Sequence, residues 1–138
     1  MQAFERAIAL GVDGIEFDLQ LSADGHLLIH HDARLKPEAT RRDGVFLAKP
    51  TPRIDALALA ELQNYDVGRL QAGSPYAARR PQRAHMDGAQ IPSLAAFDKL
   101  LAEQTDNDFR AYAELKPDMR DAAAAEALAD AYIAALQA

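Results

Sequence analysis

Gly14-Ile15-Glu16-Phe17-Asp18-Leu19-Gln20-Leu21-Ser22-Ala23-Asp24-Gly25 is the stretch that decides how this chain is read. From Ile15 to Leu21 apolar and polar residues alternate without a break, which is the period of a strand. Ile15, Phe17, Leu19 and Leu21 point one way; Glu16, Asp18 and Gln20 point the other. Ser22-Ala23-Asp24-Gly25 then reads as a turn, with Asp-Gly its strongest local signal. A second short strand is expected from about Leu27 to His31. So few residues cannot carry a parallel crossover, and the two strands are predicted to pair as a hairpin. A turn centred near residue 24 sets Glu16 roughly opposite His31 and Asp18 roughly opposite Ile29. Two carboxylates and an imidazole then share one polar face.

Working outward, the apolar residues Phe4, Ala7, Ile8 and Leu10 have helical spacing, and Gly11 supplies the stop. Residues 33–56 hold Arg34, Lys36, Arg41, Arg42, Lys49 and Arg53 together with three prolines, which reads as an extended basic loop. Ile54 to Leu62 is expected to be a short helix. Residues 63–94 are expected to form an irregular insertion, long enough to suggest a purpose. Ser93 is placed to cap a helix whose inward residues are Leu94, Phe97, Leu100 and Leu101. Phe109 to Leu115 reads as a strand with Tyr112, Glu114 and Lys116 on one face. An alanine-rich helix from Ala122 closes the sequence. The first helix has no capping residue before it and the last has no terminal glycine, so the chain is expected to be a segment of something larger. Strands alternating with helices point to an α/β architecture with a mostly parallel sheet.

The bulk numbers narrow the function. With 15 Lys+Arg against 21 Asp+Glu, the net charge of -6 argues against a nucleic-acid partner. No apolar run approaches the roughly 20 residues of a membrane span. Cysteine is absent, so any metal must be held by oxygen or imidazole.

Three groups of residues remain as candidates for chemistry. Glu16-x-Asp18 sets two carboxylates on one strand face, an arrangement that suits a hard divalent cation or, equally, a solvated surface. His31-Asp32 places an imidazole, the usual proton carrier near neutral pH, at a strand end; a histidine that merely precedes a turn is the other reading. Glu114-x-Lys116 offers a further carboxylate and a cation suited to a phosphoryl group, or else an exposed ion pair. His26, His30 and His85 are weaker candidates, and strand parity turns His30 away from His31.

Taken in order, Ala3-Phe4-Glu5-Arg6-Ala7, Gly11-Val12-Asp13, Glu16-Phe17-Asp18, Asp24-Gly25, His31-Asp32 and Glu114-Leu115-Lys116 resemble the signature of the glycerophosphodiester phosphodiesterase family. Tyr65-Asp66-Val67-Gly68-Arg69-Leu70 and Asp87-Gly88-Ala89-Gln90-Ile91-Pro92-Ser93-Leu94 are similar to its bacterial members. The resemblance implies a partial TIM (β/α) barrel of the PLC-like phosphodiesterase type, lacking the first strand and the C-terminal half. It implies hydrolysis of a small-molecule glycerophosphodiester to sn-glycerol 3-phosphate and an alcohol. It also implies a divalent cation, Ca²⁺ or Mg²⁺, on Glu16, Asp18 and Glu114, an acid/base role for His31, and a phosphate contact from Lys116. The His-Arg-Gly strand with which the family opens has no counterpart here. Impaired turnover is therefore expected, and a non-catalytic half-barrel that binds metal or phosphate, or self-associates, is the competing reading. Either the cytoplasm or the periplasm fits the resemblance.

Overall fold

The computed structural model describes residues 1–105 and 108–137. In chain order the elements are α1 (Gln2–Ala9), β1 (Gly14–Leu21), β2 (Leu27–Ile29), β3 (Arg41–Arg42), β4 (Val45–Phe46), α2 (Leu59–Leu62), β5 (Tyr65–Asp66), α3 (Pro75–Ala78), α4 (Leu94–Gln104), β6 (Arg110–Leu115) and α5 (Ala122–Leu136). Single turns of 3-10 helix occupy Pro37–Ala39 and Ile54–Ala56. The elements divide into two compact units. The first comprises Met1–Leu21, Gly25–His31 and the chain from Pro92 onward; the second comprises Ser22–Asp24 and Asp32–Ile91.

In the first unit β1 is the central strand of three, in the order β2-β1-β6. Its partner β6 runs parallel and β2 antiparallel, so the sheet is mixed rather than mostly parallel. The alternation in β1 does what it predicts: Ile15, Phe17 and Leu19 are buried while Glu16 is exposed. Those side chains pack with Leu27, Leu94, Phe97, Leu100 and Leu128, joining both long helices to one sheet face. Phe97 is the keystone. It is fully buried, with the rings of Phe4 and Phe17 each 4.7 Å away in tilted and edge-on contact. Ser93 caps α4 by accepting the Ala96 N–H, and Asp121 caps α5 by accepting that of Ala124.

The hairpin register corrects the sequence estimate by one residue. Leu19 pairs with Ile29, Gln20 with Leu28 and Leu21 with Leu27, and the His30 N–H donates to the Asp18 carbonyl. Asp18 therefore faces His30 rather than Ile29, and β2 ends at Ile29 instead of reaching His31. The cause is the loop, which takes the five residues Ser22 to His26. Gly25 adopts a positive φ of 82° within it. Asp24 is drawn into long-range work, since its Oδ1 accepts both the Ser22 hydroxyl and the N–H of Leu59 at the start of α2. An odd loop in place of an even one shifts pairing by one residue.

The second unit is built from short pieces held by charge. Its small sheet has the order β4-β3-β5, all antiparallel. Residues expected as a basic loop thus contain two strands and two 3-10 turns, and the helix expected over 54–62 is broken by extended Leu57 and Ala58. Leu35, Ile54, Leu62, Tyr65, Leu70 and Ile91 are buried. Around them Arg41 donates to both Asp66 and Asp87, while Arg69 grips Asp87 with two bonds of 2.6 Å. Asp66 also accepts the N–H groups of Gly68 and Gly88 at 2.8 and 3.0 Å. A side chain at Gly68 has no room, because its Cβ would lie 1.7 Å from the Met86 carbonyl oxygen. The irregular stretch around residues 65–88 is thereby tied down at several points.

These contacts set an acid limit on the second unit. Arg69 first, then Arg41, hold the Asp87 carboxyl down at about 2 against an ordinary value of 3.8. Burial pushes the Asp66 carboxyl up, but the Gly88 and Gly68 N–H groups and Arg41 together bring it below the usual range. Carboxyls depressed in the folded state stabilise it fully above their unfolded values, and that stability is lost as pH falls through their folded values. Denaturant unfolding followed from pH 4 down to about 2 should show falling stability, and Asp87→Asn should flatten the slope.

Candidate active site

The site begins with the parallel pairing of β1 and β6. Glu16 pairs with Tyr112, Asp18 with Glu114 and Leu19 with Leu115, so directly paired side chains share a face. One step beyond the ladder, the Lys116 N–H donates to the Leu19 carbonyl at 3.0 Å, which keeps Lys116 beside β1. A polar strip results, running from Arg110 through Tyr112, Glu16, Glu114 and Asp18 to Lys116. Its carboxylates are those of the Glu-x-Asp and Glu-x-Lys motifs.

Glu16, Asp18 and Glu114 each offer an oxygen, and the three oxygens lie within 4.8 Å of one another. Like charges that close repel by about 1 kcal/mol per pair in bulk water, and by several at a protein surface of lower dielectric. Part of the repulsion is offset by Lys116, whose ammonium reaches Glu114 Oε1 at 2.5 Å and Asp18 Oδ1 at 3.2 Å. Glu114 first, and then Asp18, raise the Lys116 ammonium above the ordinary lysine value against the effect of partial burial. The donor set is all oxygen and dinegative or more, which fits Mg²⁺ or Ca²⁺ and does not suit a soft metal. A divalent ion drawn to these carboxylates would meet the Lys116 ammonium at two of them.

The remaining candidate is placed differently. His31 follows the last paired residue of β2 and is exposed, with its backbone carbonyl accepting the Gln20 side-chain N–H at 3.3 Å. The corrected register puts the His30 backbone against Asp18, where Ile29 was expected, so His31 no longer stands opposite Glu16. Asp32, next in sequence, forms an ion pair with Lys36 at 2.6 Å. Sequence reasoning passed over Arg110. Its signal was the parity it shares with Tyr112, and with Tyr112 and Glu16 it lines an open depression of about 680 Å³ at the far end of the strip.

A model of the glycerophosphoryl diester phosphodiesterase family matches residues 1–137. The chain belongs to that family. A glycerophosphodiester phosphodiesterase of Caldanaerobacter subterraneus is 32% identical over 114 residues, which cover 83% of this chain and 37% of that one. The crystal structure of a Silicibacter pomeroyi protein, provisionally named a glycerophosphoryl diester phosphodiesterase, superimposes with a TM-score of 0.92 at 29% identity. It covers 99% of this chain, which spans 47% of that one. An Oleispira antarctica phosphodiesterase, solved with its product sn-glycerol 3-phosphate, shares the fold at 20% identity and a TM-score of 0.64, covering 99% of this chain and 44% of that one. The chain thus has the α/β fold of part of a TIM-type phosphodiesterase barrel and spans less than half the length of these relatives.

Competition at the carboxylates is open to measurement. Calorimetric titration with Ca²⁺ and Mg²⁺ should show affinity lowered about tenfold or more by Asp18→Asn and raised by Lys116→Met. Unchanged affinity in Lys116→Met would mean that the ammonium is not the ion's competitor.

Proposed function

We propose that the protein hydrolyses glycerophosphodiesters to sn-glycerol 3-phosphate and an alcohol. The observation that carries this reading is the convergence of Glu16, Asp18 and Glu114 within 4.8 Å, with Lys116 against two of them, in a member of this family. The Oleispira relative's bound product is the one this reaction releases.

Glu16, Asp18 and Glu114 would hold the divalent cation, Ca²⁺ or Mg²⁺, which when bound polarises a phosphoryl oxygen toward attack. Lys116 would present its charge to the phosphate and oppose the negative charge that grows there in the transition state. His31 carries a proton, as base toward the attacking oxygen or as acid toward the departing alcohol. Its exposure beyond the end of β2 supports that role. Burial is modest at Asp18 and slight at Glu16 and Glu114, so water screens the site, and turnover is expected to be slow.

Release of glycerol 3-phosphate from glycerophosphocholine should require Ca²⁺ or Mg²⁺ and disappear with EDTA. Glu16→Gln should lower the rate by about a hundredfold or more. Cation binding without turnover, in a chain shown to be folded, would instead favour the non-catalytic reading.

A further inference from the structure

Charge is divided unevenly along this chain. The second unit holds ten of the fifteen basic residues but only eight of the twenty-one acidic ones, a surplus of two positive charges. The rest of the chain carries eight negative charges in excess. Four of the second unit's eight carboxylates are paired with its cations: Asp66 and Asp87 with Arg41 and Arg69, Asp55 with Arg53, and Asp32 with Lys36. Three of the unit's six exposed basic residues fall in the single stretch Arg79-Arg80-Pro81-Gln82-Arg83, the others being Arg34, Arg42 and Lys49.

Those guanidinium groups are not scattered along a loose loop. Ser74 caps α3 by accepting the Ala77 N–H, Arg80 N–H donates to the Ala77 carbonyl, and Arg83 N–H donates to the Arg80 carbonyl at 3.1 Å. Arg80 lies over the Tyr76 ring at 4.1 Å, and the Lys36 ammonium lies 4.9 Å from the same ring centroid. Arg83 is anchored by an Nη2 bond to the Val67 carbonyl. Every residue from Arg79 to Gly88 is exposed, Met86 among them.

We propose that this face of the second unit docks on an anionic phospholipid surface. A compact group of cations around an aromatic ring, with an exposed methionine in the following turn, suits a negatively charged interface into which apolar groups can dip. It does not suit a nucleic acid as well, because the rest of the chain is acidic and offers no basic track to follow a phosphate backbone. The inference is independent of the catalytic reading, since none of its residues belongs to the carboxylate strip.

The test is co-sedimentation of the whole chain with vesicles of phosphatidylcholine alone or mixed with phosphatidylglycerol, at low and high salt. Binding to the mixed vesicles that weakens with salt, with little binding to the neutral ones, is the expected result. Reversal of Arg79, Arg80 and Arg83 together to Glu should reduce that binding by about a hundredfold. Reversal of Arg6, Lys99 and Arg120 together to Glu, an equal change of charge elsewhere, should cost far less. Equal loss in the two triple variants would overturn the proposal, as would the absence of wild-type binding to the anionic vesicles. So would retention of a polyuridylate oligomer by a chain that ignores vesicles, which would assign the face to nucleic acid. The wild-type comparison of the two lipid compositions stands even where a variant fails to fold.

Discussion

Strands in a sheet lie about 4.8 Å apart, so parallel pairing of β1 with β6 brings Glu16, Asp18 and Glu114 onto one face within reach of one another's charge. The opposite faces of the same residues' neighbours explain why the arrangement survives. Ile15, Phe17 and Leu19 alternate with the acids and bury themselves against α4 and α5, with Phe97 at the centre. Apolar burial holds the strands in register, and the register forces the carboxylates together. The electrostatic cost falls on the site, where Lys116 offsets part of it and a divalent ion can offset more. A cluster whose charges the fold alone does not balance is a candidate binding site.

The second unit is organised by another economy. Its regular elements are two to four residues long, too short to be stable by backbone pairing alone. Small apolar contacts supply a core, and the Arg41, Asp66, Arg69 and Asp87 network fastens distant parts of the chain around it. Bidentate guanidinium–carboxylate pairs hold geometry as well as energy, which suits a segment with little secondary structure. The same network takes up two of the unit's eight acids, Asp66 and Asp87.

How far the sequence could be read follows from the range of each interaction. The alternation in β1, the Ser93 cap and the inward face of α4 are local, and each was legible from neighbours two to four residues away. The carboxylates were legible as pairs, and the family resemblance singled out the three that lie together. Hairpin register was not legible to the last residue. The loop takes five residues rather than four, and its Asp24 accepts the N–H of Leu59, thirty-five positions on, a contact that no local pattern announces. That slip matters, since it sets His30 rather than Ile29 opposite Asp18 and takes His31 out of its expected place opposite Glu16. The order within residues 63–91 was hidden for the same reason: Arg41 meets Asp66 and Asp87 across twenty-five and forty-six positions, and no short pattern announces such a contact.

The central claim is that β1 and β6 together form a cation site, and Mn²⁺ titration followed by amide NMR tests it most directly. A bound paramagnetic ion broadens the resonances nearest to it. Selective loss of signal over Glu16–Leu19 and Ala113–Lys116, reversed by adding Mg²⁺, is the result this account predicts. Broadening that centres instead on the carboxylates of the second unit, or that spreads without focus over all the acidic residues, would contradict it.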